Sequence, residues 1–107
     1  MGTMRVHLRA IEWNRLKLFV LVPNKIHTTG GYQGVRKRLL DQLTERGYLP
    51  PPKVGLTQPT ADAERFVDLD EEADVPIIRN AVHTPGKGGW QKQLRDIFGG
   101  DQRFWDA

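Results

Sequence analysis

The chain has three histidines and no cysteine, and two of the histidines occupy near-repeated settings. His27-Thr28 and His83-Thr84 each precede a glycine pair, Gly30-Gly31 and Gly88-Gly89, which is followed by an aromatic residue and a glutamine. Glycine-rich segments of this kind suit a turn that opens a helix. There the first backbone N–H groups point outward and favour an anion such as phosphate, with the imidazoles and Lys87 as extra donors. His27, Thr28, Gly30, Gly31, His83, Thr84, Lys87, Gly88 and Gly89 are therefore the candidate anion-binding loop residues. The same residues also have a purely structural use, because threonine braces a turn and glycine supplies positive φ angles.

Paired histidines can also act as general acid and base, so cleavage of a phosphodiester by His27 and His83 is one expected activity class. His27-Thr28-Thr29 resembles the His-x-(Thr/Ser) element that two-histidine phosphoesterases carry once per half, whereas Pro85 stands where the second hydroxyl belongs. The stretch 82–99 is similar to the closing segment of HicA-type RNA-cleaving toxins, whose Gly-Ser-His element does not occur in this chain. Neither likeness assigns a family. Two ligands from symmetric loops do not make a metal site, and no metal or cofactor is expected.

A second candidate site is electrostatic. Residues 1–56 hold 10 Lys and Arg against 3 acids, and residues 57–107 hold 6 against 10, so a basic and an acidic half are expected. Arg5, Arg9 and Lys17, Lys25 beside the loop, and Arg36, Lys37 and Arg38 at a helix start form the candidate nucleic-acid-binding set. Cations at a helix N-terminus oppose the macrodipole, and a bound phosphate relieves that opposition. The leading expectation is a small regulatory, non-catalytic protein that binds DNA or RNA through its backbone, with salt-sensitive affinity. The alternative is a protein-interaction module or inhibitor acting through its charge-polarised surface, with head-to-tail homo-oligomers among its possible partners.

These sites need elements to hold them. Alternation from Arg5 predicts a strand, and "LKLFVLV" after a turn at Asn14-Arg15 predicts a second, forming a hairpin. Val35, Leu39, Leu40 and Leu43 recur at helical spacing and end at Gly47, which predicts a helix. The proline-rich passage 50–60 reads as a connector. Beyond it, strands are predicted over Arg65 to Leu69 and Val75 to Ala81 around an acidic turn, with a short helix over Ala61 to Leu69 as the other reading. Trp90, Leu94, Ile97 and Phe98 predict a closing helix, and the tail aromatics are expected to dock on the core. The fold class is thus α+β: one domain over 1–107, made of two ββα-like half-repeats (4–49 and 61–107) related by an internal pseudo-twofold.

Composition sets outer limits. With 38% apolar and 27% charged residues, the chain is expected to be globular, with one core at this length. The apolar run Leu18 to Val22 is too short to span a bilayer, so no membrane partner is expected. The absence of cysteine fits a reducing, cytoplasmic setting.

Overall fold

The computed structural model describes residues 2–21, 31–49, 65–86 and 89–105. The described chain runs β1 (Thr3–His7), α1 (Ala10–Leu21), α2 (Tyr32–Glu45), β2 (Phe66–Asp70), α3 (Val75–His83), α4 (Gly89–Phe98) and α5 (Gln102–Trp105). It is an α+β arrangement in which β1 and β2 pair antiparallel, Met4 opposite Leu69, Arg5 opposite Asp68 and Val6 opposite Val67. Alternation turns Val6, Val67 and Leu69 inward and leaves Arg5 on the other face.

A two-stranded ribbon is marginal alone, so the helices must supply its core. Leu16, Val20, Tyr32, Val35, Leu39, Leu43, Ile78, Leu94, Ile97, Phe98 and Phe104 join the strand residues in one buried cluster. The edge of β2 is also covered, because Gln42 of α2 donates to the Asp68 carbonyl (2.5 Å) and accepts from the Asp68 N–H (2.7 Å). Backbone groups that a sheet edge would leave unpaired are thereby satisfied.

Two expected strands are helices instead. Of the residues predicted to form a turn and a second strand, 14–21 lie inside α1 and Val22 lies outside the described residues; the buried Glu12, Trp13, Leu16, Phe19 and Val20 recur at helical spacing. The run "LKLFVLV" hides this period because the outer residues Leu18 and Leu21 are apolar too. A start signal was present: Glu12 at the third helical position reaches back to the Arg9 N–H (2.9 Å), the return half of a capping box. Val75–His83 is likewise α3, with proline near its start and Val75, Ile78, Ala81 and Val82 buried. Among the described residues the first half therefore runs strand, helix, helix and the second strand, helix, helix and the short α5, and the predicted hairpins and ββα units are not formed.

The other elements follow the pattern. Val35, Leu39 and Leu43 of the α2 stripe are buried and Leu40 partly so, and Gly47 takes φ 76° just past the helix end, where its N–H donates to the Thr44 carbonyl. The α4 stripe is buried as expected and Phe66–Asp70 is a strand; of the two tail aromatics Phe104 is fully enclosed, whereas Trp105 is 41% exposed. The connector 50–60 and residues 61–64 lie outside the described residues. None of the described helices is long and apolar enough to cross a membrane.

Candidate functional site

Of the first candidate loop, His27, Thr28 and Gly30 lie outside the described residues, as do Lys87 and Gly88 of the second. Gly31, which caps α2, and Gly89, the first residue of α4, have φ 81° and 77°, and each stands directly before a buried aromatic, Tyr32 or Trp90. The two rings meet with centroids 5.8 Å apart, so both aromatics are core anchors.

The described part of the second loop is held by internal bonds. His83 ends α3, and its Nε2 lies 2.9 Å from the Phe104 carbonyl oxygen, a bond in which the ring nitrogen donates. Its ring also meets Trp105 edge-on at 5.0 Å. Thr84 Oγ1 donates to the Asn80 carbonyl (2.6 Å), closing the helix end. Arg95 of α4 donates to the Thr84 carbonyl and to that of Gly86 (2.8 Å). These groups fasten α5 and the α3–α4 turn to the core.

The seven candidate cations divide in the same spirit. Lys25 lies outside the described residues. Arg5 donates to both oxygens of Asp68 (2.9 and 3.3 Å) and lies over the Phe66 ring at 4.0 Å. Arg46 donates to the same carboxylate (2.8 Å), and hydrogen bonding from Arg5 above all holds the Asp68 carboxyl below the ordinary carboxylate range. Arg38 Nε donates to Asp74 Oδ1 (2.5 Å), and that carboxylate is buried. Arg9 donates to Glu12 (2.8 Å), lowering the Glu12 pKa and raising its own. Lys37 pairs with Asp41 on the exposed side of α2. Lys17 and Arg36 are half-buried, and the Nε of Arg36 has no hydrogen-bond partner. Three cations of the basic half, Arg5, Arg38 and Arg46, thus meet acids of the acidic half inside one molecule.

Besides a hollow beside the Arg38–Asp74 pair, two further concave features lie among the described residues. A cleft of about 560 Å³ between the end of β1, the start of α1 and the α4–α5 turn has a floor that includes Val6, Leu8, Ile97 and Phe98. At its polar wall, Glu12 is held by Arg9 and Asp101 by Arg103, so these carboxylates are already engaged. Among the described residues no group of three metal-ligating side chains converges.

The other feature is a groove of about 340 Å³ between α1 and α4, lined by Arg15, Leu18, Phe19, Gln93 and Asp96. Beside it the outer face of α1 presents Ile11, Leu18 and Leu21 at 52%, 63% and 52% exposure, whereas the neighbouring Phe19 and Val20 are buried. Their spacing of seven and then three residues puts them on one stripe. Reading this segment as a strand concealed the face; the signal that reveals it is Ile11, Asn14, Leu18 and Leu21 at heptad spacing. Compared with family models, curated proteins and solved structures, the chain matches none.

Proposed function

We propose that this chain is a protein-interaction module whose working surface is the outer face of α1 with the adjoining α1–α4 groove. The observation that carries the reading is the clustering of Ile11, Leu18 and Leu21, each more than half exposed, on one helix face. Scattered exposed apolar residues are ordinary, whereas a stripe beside an apolar groove fits the seat of a partner's helix. Covering the exposed half of each side chain is worth about 1 kcal/mol, from the ~1.5–3 kcal/mol of complete burial. A photo-crosslinking residue at position 18 tests this in the producing cells, with the same reagent at Glu45 as control. The reading predicts one discrete protein adduct at position 18, and it fails if the two positions label alike.

A second reading, a polyanion-binding protein, rests on the start of α2. Gly31 caps that helix without a side-chain bond, no acid lies in its first turn, and Arg36 with its unpartnered Nε and Lys37 follow. Binding of short DNA or RNA should then weaken several-fold between low and moderate salt, the loss expected when phosphate contacts release counterions. No binding at low salt would sink this reading.

The two halves are read here as copies of one strand–helix–helix unit about an approximate dyad. The matched Gly31 and Gly89, the Tyr32–Trp90 contact and the antiparallel β1–β2 pair support this. An exchange of Tyr32 and Trp90 that abolishes folding would count against equivalent settings.

A further inference from the structure

We infer that the occupant of the α1 face is a second copy of this chain, paired through α1 about a twofold axis; this rests on the interaction-module reading above. An isologous interface must be self-complementary, offering projection and recess on one patch. This patch does so: Leu18 projects, 63% exposed, beside the groove lined by Arg15, Phe19, Gln93 and Asp96. Ile11 and Leu21 stand five residues to either side of Leu16 along α1. An axis at that level sets Ile11 of one copy against Leu21 of the other in an antiparallel pair. Leu18 then enters the space beside Asn14 and Arg15 of the second copy, as a knob enters a hole between neighbouring helical residues. The groove also carries both signs of charge, Arg15 from α1 and Asp96 from α4. Among the described residues Asp96 pairs with the exposed Lys92 on its own helix (2.7 Å), and Arg15 donates to the Asp96 carbonyl at 3.5 Å and is attracted to the Glu12 carboxylate. Each copy therefore offers a cation and an anion to its mate.

Sedimentation equilibrium of the full chain over a micromolar to millimolar series tests the inference. The expected result is a reversible shift toward twice the chain mass. Leu18→Glu should weaken dimerisation roughly 30-fold or more, the effect of losing a central anchor, with an unchanged circular dichroism spectrum. Arg15→Glu should weaken it as well, and Arg15→Glu with Asp96→Arg should restore it. A wild-type monomer at millimolar concentration, or a dimer indifferent to Leu18→Glu and Arg15→Glu, overturns the inference. If a heterologous protein forms the adduct at position 18 while the chain is monomeric, the module reading stands and the second-copy inference falls. If neither adduct nor dimer forms, both fall.

Discussion

Replacing Arg38 with methionine separates a structural arginine from one reserved for a ligand. Arg38 joins α2 to the start of α3 through Asp74, which is 2% exposed and whose other oxygen accepts the Asp70 N–H at 3.0 Å. Methionine keeps an apolar stem but leaves the carboxylate without its cation. Removing one partner of a buried pair costs about 3–5 kcal/mol. Here the arginine side chain is 41% exposed and the Asp70 N–H remains, so water and one hydrogen bond offset part of the loss. The net expectation is roughly 2–3 kcal/mol. With a slope of about 1–1.5 kcal/mol per molar, the urea midpoint should fall by roughly 2 M. Tryptophan fluorescence is a suitable probe, because Trp13 and Trp90 are buried. Asp74→Asn removes the stranded charge and should recover about 1 kcal/mol or more in the Arg38→Met background, the signature of a coupled pair. Lys37→Met, which breaks only an exposed pair with Asp41, should cost about 0.5 kcal/mol or less and serves as control. An unaltered midpoint in Arg38→Met, or strict additivity with Asp74→Asn, would refute the structural assignment and return Arg38 to the candidate ligand set.

Gly31→Ala should cost about 1–2 kcal/mol in a thermal or urea melt, because φ 81° strains an L side chain and the added carbon would lie 2.2 Å from the Ile77 side chain. His83→Ala should lose about 1 kcal/mol through the bond to the Phe104 carbonyl, and it should loosen α5; faster exchange of α5 amides without global unfolding is the readout. Acid should destabilise the fold, because Glu12, Asp68, Asp70 and Asp101 all have lowered carboxyl pKa values. For a lowered pKa the unfolded chain binds more protons, so this stability is complete above the unfolded value. It is lost as pH falls from about 4 through the folded values, and a midpoint that rises on acidification would contradict the assignment.

Helices α2 and α4 were legible in the chain because their apolar residues form narrow stripes with polar residues between them, which leaves one period available. β2 was legible from its β-branched and aromatic content and its neighbouring acidic turn. α1 and α3 were not, because "LKLFVLV" and "VPIIRNAV" are apolar on more than one face and read as well with period two as with period three and a half. The capping contact of Glu12 and the proline at the start of α3 were the local signals that favoured helix.

For the candidate sites, sequence by itself determined which residues are cationic, which glycines precede an aromatic, and that bases outnumber acids in the first half and acids outnumber bases in the second. It could not determine what those charges face. Pairing β1 with β2 sets Arg5 against Asp68, and packing α2 across them brings Arg38 to Asp74 and Arg46 to Asp68. Residues more than 20 positions apart become neighbours only after the chain has folded, and ion pairing falls off with distance in space, not in sequence. The same holds for the α1 face: helical spacing fixes which residues share it, but only tertiary packing decides that Phe19 turns into the core while Ile11, Leu18 and Leu21 stay outside.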